Sequence, residues 1–198
     1  DEYGAASSTP TWISAVSATT YVSSSRYTSA LGGTLYAVSG SGLLPDDRKL
    51  MALNATTGGI DRSYTFPAGV VPVGTMTLVI DFTANYIYQA VDGADADSDP
   101  DAIYGFVDND AAIALDPNFA GDGILTGTAA DAIPAGWGGA YPAQPFGRLA
   151  VSWEPAGLRL YFVAGPIGSG VLYKVKANSA DLPVLPTIYI GRSTTHAY

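Results

Sequence analysis

The chain has 198 residues, with eighteen acidic side chains against nine basic ones, a formal net charge of −9, one histidine and no cysteine. That length suits a single domain able to bury a real core. The acidic balance, with no basic patch, argues against a nucleic-acid partner and against an anionic membrane surface. The lack of cysteine excludes disulfides, thiolate metal sites and thiol redox chemistry.

Gly, Ser, Thr, Ala and Tyr are abundant and Lys and Glu scarce, which points to an exported, extracellular protein. The opening Asp1-Glu2-Tyr3 is compatible with a mature N-terminus, and no basic segment followed by an apolar core opens the sequence; for a secreted protein the expectation is that a signal peptide has been removed. No apolar run approaches the roughly 18–20 residues needed to span a membrane. One sequon, Asn54-Ala55-Thr56, permits N-glycosylation in a suitable host.

Helical periodicity is hard to find. The apolar stretches are short, rich in Val, Ile, Tyr and Thr, and bounded by Gly, Pro, Asn or Asp, which is the signature of strands. In chain order, strands are expected near 19–25, 33–39, 49–54, 61–66, 75–82, 85–91, 102–107, 111–115, 148–153, 158–164, 170–176 and 186–191. Residues 117–147 read as one long loop, a feature that is often functional within a compact domain.

An internal repeat runs through this pattern. "KLMALNATTGGI", "AAIALDPNFAGDGI" and "GVLYKVKANSADLPV" each read as strand, polar turn and return to apolar residues. Leu53, Leu115 and Val175 are equivalent in this reading, with a period of about 60 residues. Partner strands precede them in "GTLYAVSG", "NYIYQAVDG" and "LRLYFVAG". Three units follow, at about 19–74, 75–147 and 148–191, within one all-β domain. Three or four antiparallel strands per unit is the pattern of β-propeller blades, and the alternative is a β-sandwich.

The first unit carries a resemblance. Leu35, Tyr36, Ala37, Ala52, Leu53, Asn54, Thr57, Gly58, Tyr64 and Phe66 match a "LYAL" strand, an "ALD-x-x-TG" turn and an aromatic strand ending in Phe. In this the chain resembles the blades of pyrroloquinoline-quinone-type propellers over about 35 residues, with Tyr64 near the place of the usual Trp. The resemblance implies blade shape and carries over no cofactor residue. The two ends also resemble each other: "TTYVSSS" near the start matches "TIYIGRS" near the end, about three periods later. The last strand, with Ile188, Tyr189 and Ile190, therefore completes the first blade, completes a neighbour's blade by strand addition, or begins a further blade of a longer chain.

Residues 91–105, "VDGADADSDPDAIYG", hold Asp92, Asp95, Asp97, Asp99 and Asp101 with no Lys or Arg to neutralise them. Carboxylates alternating in a turn repel one another unless a cation gathers them, and calcium accepts six to eight oxygens in flexible geometry. The stretch resembles the calcium loops between strands of integrin-type and pilus-associated propellers. It departs from them at Pro100, where they have Gly, and at Ile103, where they have the closing carboxylate. The competing reading is a solvated acidic loop that keeps a hairpin soluble. Asp108 and Asp110 in "VDNDAA" read as a second acidic turn that could add ligands to the cation, and a plain β-turn is the expectation.

Catalysis finds little support. The only histidine, His196, is the third residue from the end, and Glu2 and Glu154 are the only glutamates. A Ser–His–Asp triad, a zinc centre and a facing glycosidase carboxylate pair each need more than this. Two non-enzymatic roles remain. Trp137, Tyr141 and Phe146, in the long loop, are candidates for stacking on a carbohydrate or a partner protein, whereas Trp12 and Trp153 read as core residues. Low charge, small residues and a spare terminal strand fit self-association, or binding of other surface proteins, in a cell-surface or filament subunit. The expectation is a secreted, all-β, propeller-like protein of structural or adhesive function with a calcium loop. The alternative is a calcium-assisted carbohydrate- or protein-binding module of a larger propeller protein.

Overall fold

The computed structural model describes residues 20–28, 32–39, 48–72, 76–80, 84–92, 100–126, 149–155, 157–164 and 171–177. These form thirteen strands and no helix, in three antiparallel sheets. The first sheet runs in sequence order through β1 (Thr20–Thr28), β2 (Gly32–Ser39), β3 (Lys49–Asn54) and β4 (Ile60–Thr65). The second is centred on β7 (Asn85–Asp92) and β8 (Pro100–Asp108). On one side of β7 lie β5 (Val71–Pro72) and β6 (Thr77–Ile80); on the other side of β8 lie β9 (Ile113–Leu115) and β10 (Ile124–Thr126). The third contains β11 (Ala150–Glu154), β12 (Gly157–Ala164) and β13 (Val171–Lys176), in that order.

Burial along each strand follows its place. In β3 the four central residues are buried, so both faces are covered. In the edge strand β4 only Arg62 and Tyr64 turn inward, and the alternating residues face solvent. The turn from β3 to β4 is closed by Asn54, whose side-chain oxygen accepts the N–H groups of Thr56 (2.9 Å) and Thr57 (3.1 Å), and Gly58 there has φ of 73°. Asn109 does the same after β8, accepting from Ala111 and Ala112, each at 3.1 Å.

The sheets stack in chain order. Tyr36, Val38, Leu50, Ala52 and Phe66 of the first meet Ile87, Val91, Tyr104, Phe106 and Ile113 of the second. Tyr88, Ile103 and Leu125, on the opposite face of the second, meet Leu158, Leu160, Phe162 and Val175 of the third. Alternation within β7 and β8 thus sends neighbouring residues into different cores. The other face of the first sheet is also buried, at Ala37, Met51 and Leu53.

Margins match as well as faces. At one margin β1 touches β6, and β6 touches β11. At the opposite margin β4 touches β9. Thr77 adds a 2.6 Å hydrogen bond to the carbonyl of Leu149 just before β11.

Several sequence expectations change. The segment read as a loop from 117 contains β10, paired to β8 in the register Ile124↔Tyr104, and Phe119 is fully buried. Alternation failed to reveal β10 because three residues are too few to show a period. Leu115 is not the equivalent of Leu53. Leu53 sits in the third strand of its sheet, paired with Leu35 of the second, and Val175 likewise pairs with Leu160. Leu115 lies in β9, one strand later, paired with Phe106 of β8. Residues 71–72 pair with β7 and so belong to the second sheet. The expected strand at 186–191 lies outside the described residues.

Candidate functional site

The described polar groups gather in three places. The first lies between the first two sheets. Asp108, fully buried at the end of β8, accepts from Arg62 of β4 twice, Nε at 2.9 Å and Nη2 at 2.8 Å. Tyr36 of β2 donates its hydroxyl to the same carboxylate at 2.5 Å and accepts from Asn85 Nδ2 at 2.7 Å. The backbone N–H of Asp110 completes the shell at 3.0 Å, and Asp110 also stands 3.6 Å from Arg62. Burial, then the hydrogen bond to Asp108, pushes the Tyr36 hydroxyl far above its ordinary range. Burial opposes the charge on Arg62, but Asp108 outweighs it and raises the guanidinium. A charge pair so enclosed joins four strands of two sheets and is a structural clamp.

The second is the turn after β9. Asp116 is buried and takes the N–H of Asn118 on Oδ1 at 2.9 Å, while its other oxygen has no partner among the described residues. Its charge adds to burial in raising the Tyr88 hydroxyl, which donates to the carbonyl of Ala177 at 3.0 Å. Phe119 follows in this turn and lies edge-on to Tyr88, centroids 5.3 Å apart, over Gly105. The turn is held by Ala120 and Gly121 at φ of 55° and 88°.

The third is the face of the third sheet that points away from the second. Glu154, at the end of β11, accepts from the Tyr161 hydroxyl and from Lys174 Nζ at 2.7 Å, with Arg159 Nε at 3.8 Å. The Lys174 ammonium also stands 5.6 Å from the Tyr161 ring centre. The hydrogen bond from Lys174, then that from Tyr161, holds the Glu154 carboxyl below its usual range, and Lys174 is raised in return. Glu154 is therefore poorly suited to donate a proton as a general acid.

The sequence candidates fall unevenly across this picture. Asp92 ends β7 and Asp101 lies in β8, and the pairing Asp92↔Pro100 draws the two ends of the aspartate stretch together. Asp95, Asp97 and Asp99 lie outside the described residues, as do Trp137, Tyr141, Phe146, Ile188, Tyr189 and Ile190. Among the described residues no three His, Cys, Asp or Glu side chains come close enough to hold a metal ion. Trp153, expected in the core, is 56% exposed. It lies in β11, the edge strand of the third sheet. Asp108 was expected in a simple turn and is instead the centre of the inter-sheet clamp. The only signal in the sequence was an aspartate directly following a strand. Its partners, 46 and 72 positions away, are supplied by tertiary contact alone.

No protein-family model, curated protein or solved structure matches the chain.

Proposed function

We propose that this protein is a non-enzymatic structural or adhesive component of the extracellular surface, built as a radial, propeller-like array and working by self-association. The observation that carries the reading is the order of contacts. Successive sheets stack face to face, β6 touches β1 on one side and β11 on the other, and β4 touches β9 at the other margin. Blades around an axis are arranged in this way. The charged groups of two polar clusters are engaged with one another, as expected of scaffolding. Light scattering with electron microscopy of the same sample tests the role. Particles many times the mass of one chain are expected; a monomer at every concentration overturns the proposal.

A second reading is a calcium-assisted binding module for carbohydrate or protein. The hairpin of β7 and β8 favours it, because Asp95, Asp97 and Asp99 fall within the connection whose ends Asp92 and Pro100 bring together. A cation there would be held by the carboxylates of Asp92, Asp95, Asp97, Asp99 and Asp101. Exposed Trp153 offers an aromatic face to a ligand. Calcium titration by calorimetry, with D95N/D97N/D99N as control, tests it: saturable heat lost in the variant supports the site, and no heat overturns it.

A further inference from the structure

We propose that Asn54, at the turn between β3 and β4, is the attachment point of an N-linked glycan, and that the first sugar shields Ile60. The inference rests on the extracellular placement proposed above, because glycan transfer belongs to the secretory compartment.

Two turns of the structure are built alike. Asn54 accepts the N–H groups of Thr56 and Thr57 on its side-chain oxygen, at 2.9 and 3.1 Å. Asn109 accepts those of Ala111 and Ala112, each at 3.1 Å. Both turns use the amide oxygen alone, and the second shows that alanine serves two positions after the asparagine. The fold therefore accounts for Asn54 and leaves the Thr56 hydroxyl without a task. That hydroxyl has no partner among the described residues, whereas Thr57 next to it accepts the N–H of Gly59 at 3.2 Å. An N-glycan acceptor needs an asparagine with a hydroxyl residue two positions on and no proline between, and Asn54-Ala55-Thr56 meets that need. None of the other four asparagines has a hydroxyl residue at that spacing.

The geometry leaves the acceptor atom available. Asn54 Nδ2 donates to no described group, and Thr56, Thr57 and Gly59 around it are exposed. Transfer from a lipid-linked oligosaccharyl diphosphate forms a bond between Nδ2 and the anomeric carbon of the sugar. The bond from that carbon to the diphosphate breaks, and one Nδ2 proton is released. The amide carbonyl is kept, so Oδ1 retains both turn bonds and a glycan costs the fold nothing there. Ile60 is the second observation. It is 49% exposed, one of two large apolar side chains left in solvent among the described residues. It opens the edge strand β4 opposite Leu53, the residue before Asn54. Gly59, immediately before it, takes the Asn54 N–H on its carbonyl at 2.8 Å. A sugar on Asn54 is thus rooted beside an uncovered apolar side chain, and the C–H face of a pyranose removes such a side chain from water.

The full chain, given a secretion signal and expressed in eukaryotic cells, tests the inference by intact mass, read on the cell-associated pool as well as the released one. One glycan is expected, mapped to Asn54, absent in Thr56→Ala and kept in Thr56→Ser. An unmodified chain overturns the site and leaves the extracellular role, judged by particle mass, standing. A glycosylated chain that stays monomeric at every concentration keeps the site and overturns that role. Shielding is read separately. The urea midpoint of the glycosylated chain should exceed that of Thr56→Ala, and Ile60→Ser should cut the difference by at least about half. A difference that is absent, or that Ile60→Ser leaves whole, overturns the shielding.

Discussion

Tyr36 of β2 and Tyr88 of β7 stand in adjacent sheets, and each sends its hydroxyl into the sheet that follows, to Asp108 and to the carbonyl of Ala177. The two bonds are not equal in consequence. Tyr36→Phe removes a donor from a buried carboxylate and an acceptor from Asn85, whose own Oδ1 is already without a partner among the described residues. That should cost about 1–3 kcal/mol. Tyr88→Phe removes one neutral hydrogen bond, for about 1 kcal/mol. Urea midpoints should therefore order wild type above Tyr88→Phe above Tyr36→Phe.

The clamp at Asp108 should respond asymmetrically to losing each partner. Arg62→Met leaves a fully buried carboxylate without its cation and should cost about 3–5 kcal/mol. Asp108→Asn should cost less, because the Arg62 side chain keeps 13% exposure and can turn to water. The double change R62M/D108L should be milder than the sum of its parts, since neither charge is left unpaired. A double-mutant cycle by denaturant unfolding checks this; strict additivity would deny the clamp.

Gly105 in β8 has no room for a side chain. A Cβ built there would lie 2.4 Å from Phe119 Cδ1 and within 3 Å of two more atoms of that residue. The ring covers the gap in the strand opposite Tyr88. Gly105→Ala should destabilise by about 1–3 kcal/mol through overpacking. Adding Phe119→Leu should recover part of the loss; if it does not, the backbone rather than the ring sets the requirement for glycine.

Alkaline pH should unfold the protein through its buried tyrosines. The folded state holds the hydroxyls of Tyr36 and Tyr88 above their ordinary range, so each contributes nothing to pH dependence below about pH 10. Above that pH the unfolded chain releases protons that the folded one retains, and stability falls by about 1.4 kcal/mol per pH unit for each such tyrosine. Tyrosinate absorbance at these two positions should appear only with unfolding, and Tyr36→Phe should flatten the slope. Glu154, held low by Lys174 and Tyr161, works in the other direction: its contribution is present above the ordinary carboxylate range and is lost as pH falls through its lowered value.

The sequence by itself determined that the chain is all-β and placed most of its strands. Period-two alternation and the Gly, Pro, Asn and Asp punctuation are local properties, and β2, β3, β7 and β12 lie within a few residues of where they were expected. It also marked the turn at Asn54, where side chain and backbone partner are two residues apart. What tertiary structure alone decided is everything that depends on which faces meet. β10 is too short to show a period and exists because β8 offers it a free edge. Trp153 is apolar enough for a core, yet it stands exposed in an edge strand. Asp108 belongs to a clamp because two sheets bring Arg62, Tyr36 and Asn85 around it. Hydrophobic pattern states how much of a strand is hidden, and only the packing of sheet on sheet states from what, because those contacts join residues dozens of positions apart.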